Sequence, residues 1–434
     1  MSQGLIIGIC MLGVFFALVF VNSPIGIALG ASTVITLLAF GLKIDVFANI
    51  MYTGLAKYSL LSIPFFILAG VVMERTGIST RIVNFVKLIV GPIPGGLAIA
   101  SLLVALFWGA VSGSGVATVA ALGVVLIPAM IDAGYDRGFA ASVLAAAGGL
   151  SLLIPPSVTF ILYGTLANVS VGGLFLAGVL PGLLITGCWA IYIFVYSKKR
   201  KYRGIGRFGT RAEIWKAFKE AFWGLLTPVI ILGGIYSGIF TPTEAAIVAV
   251  WYAIIIGLFV YKSFRFQDLP NIFCSAGITS ASILLIMSNA AVFAYVLTGH
   301  GVASSFSKLM LSVSSTPQIV IALMLLVVII MGFFLDGNSI MYICVPLFLP
   351  VVKAFGYSYM WLGVILSAGV VVGLITPPVA PNIYPAARIA GISMVQIAKS
   401  ITPFIIFAVI GCYVLLFLPE ISLFLPRLLG YNVG

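Results

Sequence analysis

The stretch Leu152-Leu153-Ile154-Pro155-Pro156-Ser157-Val158-Thr159 has a counterpart 222 residues later in Leu374-Ile375-Thr376-Pro377-Pro378-Val379-Ala380-Pro381. Two adjacent prolines in an apolar run remove two backbone donors and leave upstream carbonyls without helical partners. The same spacing carries Thr76-Gly77 onto Thr298-Gly299, Gly115 onto Gly337, Pro128 onto Pro350, Gly134-Tyr135 onto Gly356-Tyr357, and Pro181 onto Pro403. Coincident valines would say little in so apolar a chain. Coincident prolines and glycines mark places where backbone must break or turn. Pro24 answers Pro242 at a slightly different spacing. The sequence therefore predicts two repeats of one design, 1–205 and 206–434.

Of the 434 residues, 62% are hydrophobic and only 7% charged, against roughly a quarter charged in an ordinary soluble domain. Apolar stretches of about 20 residues, each long enough to cross a bilayer as a helix, recur along the chain. The fold class expected is an all-α polytopic membrane protein. The formal net charge of +12 could suggest nucleic acid, but the basic residues cluster between apolar runs. Lys198, Lys199, Arg200, Lys201, Arg203, Arg207, Arg211, Lys216 and Lys219 separate the two halves and read as a cytoplasmic, positive-inside loop. Cys10, Cys188, Cys274, Cys344 and Cys412 show no paired spacing and are expected as free thiols in helices. The apolar run from Leu5 to Val21 has no basic residue before it and reads as a retained first helix, not a removed signal.

With the central basic loop inside, a re-entrant hairpin near 97–131 starts and ends inside, and a broken helix follows near 138–168. In the second half a hairpin near 317–352 enters from outside, and a broken helix follows near 358–387. Only Lys43, Lys57, Lys308, Lys353 and Arg427 of the 22 basic residues then lie outside. Matching hairpins enter from opposite faces, so the expected architecture is a pair of inverted-topology repeats with re-entrant hairpins and broken helices. Secondary transporters are built this way, with their sites near the midplane.

Four segments interrupt helical backbone inside apolar sequence. They are Ser112-Gly113-Ser114-Gly115, Pro155-Pro156-Ser157, Asp336-Gly337-Asn338-Ser339 and Thr376-Pro377-Pro378. Carbonyl and hydroxyl oxygens freed at such breaks suit a small hard cation, and sodium is the coupling ion expected. Each repeat is expected to close its hairpin tip against its own broken helix around sodium. Half-helix N-termini pointing into the same space would favour a substrate carboxylate. Ser114, Thr118, Thr159 and Asn382 are the candidate substrate contacts. Glu244, after Thr241-Pro242-Thr243, reads as helix-cap chemistry, whereas Asp336 reads as an ion ligand or a tip stabiliser. His300, the sole histidine, falls in an expected outer loop.

At these residues the chain resembles the large M subunit (DctM-like) of tripartite ATP-independent periplasmic, or TRAP, transporters. The matching segments are Gly109-Ala110-Val111-Ser112-Gly113-Ser114-Gly115, Ile154-Pro155-Pro156-Ser157, Phe240-Thr241-Pro242-Thr243-Glu244-Ala245-Ala246 and Thr376-Pro377-Pro378-Val379. The resemblance implies an elevator-type scaffold and transport domain in the bacterial inner membrane, and sodium coupling. It also implies a small Q membrane subunit as a separate chain and a periplasmic P subunit delivering a carboxylate such as a C4-dicarboxylate or a sialic acid. No cofactor beyond sodium is expected. A stand-alone sodium:dicarboxylate symporter is the nearest alternative. An enzyme fits poorly, because the chain has no His-Glu-x-x-His pair and no intramembrane serine–histidine arrangement.

Overall fold

The computed structural model describes residues 3–202 and 208–433, and among them every regular element is helical. The helices of the first half are α1 (Gln3–Phe20), α2 (Ile25–Ala39), α3 (Phe47–Leu55), α4 (Ser62–Arg75), α5 (Ile78–Val90), α6 (Gly96–Ser112), α7 (Gly115–Asp132), α8 (Arg137–Gly149), α9 (Val158–Ala167) and α10 (Val171–Arg200). Those of the second are α11 (Arg211–Tyr236), α12 (Pro242–Ile255), α13 (Leu269–Gly299), α14 (Val302–Val313), α15 (Pro317–Gly332), α16 (Gly337–Ala354), α17 (Tyr359–Leu374), α18 (Ile383–Ala390), α19 (Met394–Phe417) and α20 (Glu420–Leu428). Among the described residues, eight helical stretches are long and apolar enough to cross a membrane. The chain is a polytopic all-α membrane protein.

The spacing of 222 residues governs the helix bounds as well as the prolines. Both bounds of α7 map onto those of α16, and the start of α8 onto that of α17. The α6–α7 and α15–α16 pairs are the two expected hairpins. The α8–α9 and α17–α18 pairs are the two broken helices, interrupted at Pro155-Pro156 and Pro377-Pro378, whose peptide bonds are both cis.

Two local expectations need adjusting. The basic segment between the halves is not a long loop: Lys198, Lys199 and Arg200 form the last turn of α10, and Arg211, Lys216 and Lys219 lie in α11. A capping box starts α11 early, with Thr210 N–H donating to Glu213 Oε2 at 2.7 Å and Glu213 N–H to Thr210 Oγ1 at 3.3 Å. Arg203 and Arg207 lie outside the described residues. The second is the outer end that holds Arg427: it forms the short helix α20, where Glu420 pairs with Arg427 at 2.6 Å.

Glu244 forms the cap read from the sequence. Its Oε2 accepts from Thr241 N–H and Thr241 Oγ1, both at 2.8 Å, satisfying donors at the start of α12. His300 caps the C-terminal end of α13. The five cysteines are free thiols.

Small residues let the hairpins sit close to the broken helices. A Cβ on Gly332 of α15 would stand 2.7 Å from the Cα of Gly373 on α17, so backbone packs on backbone there. Buried indoles tie the last helices to this core: Trp189 Nε1 donates to Phe404 O and Trp361 Nε1 to Leu415 O, each at 2.9 Å.

Candidate functional site

The first tip is made by Gly113, whose φ of +62° ends α6 in the left-handed region that glycine enters without steric cost. Ser114 then caps α7, its Oγ accepting from Ala117 N–H at 3.4 Å. Ser112 Oγ meets Thr118 Oγ1 at 2.8 Å, and Thr118 Oγ1 donates to Ser114 O at 2.8 Å. The tip is thus a closed knot of hydroxyls on a glycine hinge. At the second tip Asp336 caps α16, accepting from Asn338 N–H at 3.0 Å and from the Ser339 hydroxyl. A cap of this kind contributes about 1 kcal/mol.

The breaks satisfy part of their own backbone. Ser157 Oγ donates to Leu152 O at 2.8 Å and accepts from Phe160 N–H at 3.4 Å. Asn382 N–H donates to Leu374 O at 3.2 Å, and Thr376 Oγ1 to Val372 O at 2.7 Å. Ala380 N–H donates to Phe333 O at 3.0 Å, stitching the second break to the second tip. The two breaks are not equivalent in depth. Pro155 and Pro156 are buried, while Pro377 is half-buried and Pro378 and Val379 are exposed.

The helices after the breaks cross between the repeats. Each tip was expected to close on its own broken helix; α7 does pack on α8 and α15 on α17, and in addition α18 packs on α7 and α9 on α16. A Cβ on Gly115 would lie 2.9 Å from both side-chain amide atoms of Asn382, and one on Gly337 would lie 3.5 Å from Thr159 Oγ1. Each tip also faces its own repeat: Gly113 meets Val158, Gly115 would meet Gly148 O at 3.0 Å, and Gly337 would meet Val370 Cγ1 at 3.1 Å. Each tip therefore packs on its own broken helix and also on the half-helix that follows the other repeat's break, a crossing that repeat spacing alone does not encode.

At these crossings lie polar oxygens without partners among the described residues. Thr159 Oγ1, Asn382 Oδ1 and Asn338 Oδ1 are buried and unbonded, although an unsatisfied buried acceptor typically costs about 1–3 kcal/mol. Asn382 Nδ2 donates to Ala145 O at 3.3 Å, which aims the free oxygen back toward the tip. Thr159 and Asn382 come from the two breaks and Asn338 from the second tip.

A cavity of about 780 Å³ lies against both tips. Ser112, Gly113, Ser114 and Gly115 line it from one side, and Asp336, Gly337 and Asn338 from another. Of the four candidate substrate contacts, Ser114 is on this wall, whereas Thr118, Thr159 and Asn382 are fully buried behind it. Pro155, Pro156, Ser157, Ser339, Thr376, Pro377 and Pro378 do not line it. The far wall comes from helices that the sequence reading treated as supports. α4 gives Ile67, Gly70, Val71, Glu74 and Arg75, and α13 gives Ser275, Thr279, Ile283 and Ile286. Arg75 had served only as a topology marker. Ser275 and Thr279, four apart on an otherwise apolar face, were the legible signal.

Two interrupted hairpins and two interrupted helices around one cavity define a multi-pass membrane protein of transporter architecture. The family model described as "Tripartite ATP-independent periplasmic transporter, DctM component" matches residues 12–421, and the chain belongs to that family. It is 38% identical over 416 residues to the isethionate TRAP transporter permease protein DctMQ of Oleidesulfovibrio alaskensis, covering 95% of this chain and 65% of that one. The chain thus spans just under two thirds of that relative's length. It is 36% identical to the C4-dicarboxylate TRAP transporter large permease protein DctM of Pseudomonas aeruginosa, covering 93% of this chain and 95% of that one. It is 34% identical to the sialic acid TRAP transporter large permease protein SiaM of Vibrio cholerae, covering 96% and 98% respectively. In fold it is similar to the YdaH transporter of Alcanivorax borkumensis, with a TM-score of 0.65 at 16% identity over 94% of this chain and 97% of that one. Its place is that of a large permease, multi-pass in the inner membrane. The relatives are transport permeases, and a large permease of this family works with a small permease and a periplasmic binding protein.

Proposed function

We propose that the chain imports an organic acid, delivered by a periplasmic P subunit and with a small Q subunit beside it, in symport with sodium. On this reading the chain catalyses no chemical reaction and needs no cofactor beyond the coupling ions. The observation that carries the proposal is the meeting of both tips at one cavity, whose wall also holds Leu152, Val158 and Leu374 flanking the breaks, with the buried oxygens of Thr159, Asn338 and Asn382 left without partners among the described residues. Sodium satisfies such oxygens without a proton donor, and its charge offsets that of the incoming anion.

The substrate is proposed from the names of the relatives, which cite isethionate, a C4-dicarboxylate and sialic acid. Their shared chemistry is a carboxylate or sulfonate head on a polar body. Residues 1–205 and 206–434 are taken as inverted repeats. In the elevator reading the hairpins and broken helices travel past α1–α5 and α11–α14. The positive-inside assignment puts Arg75, Lys262 and Arg265 on the cytoplasmic face, so the cavity described here is open inward.

Proteoliposomes holding the complete transporter, supplied with binding protein and with succinate, N-acetylneuraminate or isethionate as probes, test this. Uptake of one probe is expected to need both sodium and the binding protein. Unchanged uptake when potassium replaces sodium would defeat the coupling, and uptake without binding protein would favour a stand-alone symporter.

Ser114→Ala and Ser157→Ala should each raise the sodium concentration for half-maximal uptake several-fold. Each also loses a cap of about 1 kcal/mol, so thermal midpoints should fall by only a few degrees. Normal sodium dependence in both variants would remove the first tip and the first break from the ion site.

A further inference from the structure

This inference rests on the anion-uptake reading and concerns what holds the anion in the inward-open cavity. Among the described residues the cavity wall carries three charged side chains, Asp336, Glu74 and Arg75. Fully ionised, two acids against one cation leave the wall net negative, which repels the cargo proposed for it. The helix N-termini at the tips do little to reverse this. Asp336 already occupies the start of α16 as a resident carboxylate, accepting from Asn338 N–H at 3.0 Å and from Ser339. At the first tip Ser114 Oγ takes the Ala117 N–H at 3.4 Å. Arg75 is left as the fixed positive charge on the wall.

The Arg75 side chain makes no ion pair or hydrogen bond with any described residue, and neither does that of Glu74. Glu74 does not neutralise its neighbour, since adjacent helical residues project in different directions. Arg75 is exposed on the cavity side of α4, so its planar fork of five donors is open to a ligand, and that fork matches a carboxylate or sulfonate head in two-point contact. Its position in the last turn of α4 also suits the helix dipole and the positive-inside bias. Neither of those roles calls for a place on the cavity wall opposite both tips.

We propose that Arg75 is the contact for the substrate's anionic head on the scaffold side of the inward-open cavity. Glu74 opposes it there and keeps the anion from being held too tightly to leave. The pair sits on α4 and the tips sit on the hairpins, so the contact belongs to the inward-open arrangement. Once the hairpins move past α4, the substrate leaves Arg75 behind. Arg75 therefore sets affinity from the inside and leaves affinity from the outside unchanged.

Purified protein in sodium buffer, titrated with succinate, N-acetylneuraminate and isethionate while thermal unfolding is followed, tests this. At least one probe is expected to stabilise the wild type saturably. Arg75→Gln should raise that probe's half-saturating concentration about tenfold or more, Arg75→Lys by less, and Glu74→Gln should lower it a few-fold. In proteoliposomes, half-saturation for exchange from the inner face should shift by the same factors, while that for binding-protein-dependent uptake stays within about twofold. Equal binding by the wild type and Arg75→Gln overturns the assignment. If Arg75→Gln does not fold, unchanged or weaker binding by Glu74→Gln overturns it instead. Failure of all three probes to stabilise the wild type sinks the organic-anion reading itself.

Discussion

Asn382→Leu should raise the sodium concentration for half-maximal uptake at least tenfold while the protein keeps its fold. Asn382 is fully buried, its Nδ2 donates to Ala145 O at 3.3 Å, and its Oδ1 has no partner among the described residues. The amide lies where a Cβ on Gly115 would come within 2.9 Å, so it reaches from the second break to the first tip. Leucine keeps the branched side-chain skeleton, with bulkier methyl ends, and removes the unpaired oxygen together with the Nδ2 donor. If that oxygen were merely an unsatisfied group, its removal would be neutral or stabilising, because replacing an orphan polar atom by an apolar one relieves a desolvation cost. If it binds sodium, the loss of one ligand appears in affinity, and each tenfold corresponds to about 1.4 kcal/mol. Uptake at varied sodium, with thermal unfolding of the same preparations, separates the two cases. A more stable variant with unaltered sodium dependence would take Asn382 out of the site.

Gly332→Val should lower uptake by about a hundredfold, with a clear loss of folded protein. The added Cβ would meet the Cα of Gly373 at 2.7 Å and its carbonyl carbon at 3.1 Å. Both are backbone atoms, so no side chain can turn aside, and α15 and α17 must separate. Overpacking of this kind costs about 1–3 kcal/mol even where side chains can adjust. One residue beyond Gly332, Phe333 O accepts from Ala380 N–H at 3.0 Å, so separation also uncouples the second tip from the second break. Gly277→Ala is the control, since a Cβ there meets nothing within 4 Å. It should leave uptake and unfolding unchanged, and equal damage in both variants would show that the loss does not come from the contact between α15 and α17.

The helices and their interruptions could be read from the sequence because bilayer length and backbone chemistry leave few choices. Pro155-Pro156 and Pro377-Pro378 cannot continue a helix, and Gly113 supplies a turn that other residues resist. What escaped reading depends on relations between elements. The repeat spacing placed Thr159 and Asn382 after their breaks but not against the opposite tips, because repeat symmetry does not say which copy packs on which. The amphipathic helices α5 and α14 were hidden among charges that had been used for topology. Arg75 was one of those charges, and only the folded chain puts it on the cavity wall. Capping explains the remaining difference, since Thr210 and Glu213 convert a stretch of basic loop into the first turn of α11.

The most direct measurement is equilibrium binding of radioactive sodium to the purified protein, with Asn382→Leu, Thr159→Val and Arg75→Gln alongside. The account predicts saturable binding by the wild type, weakened at least tenfold in the first two variants and unchanged in Arg75→Gln. Saturable binding of equal strength in the wild type, Asn382→Leu and Thr159→Val, or no saturable binding at all, would contradict it.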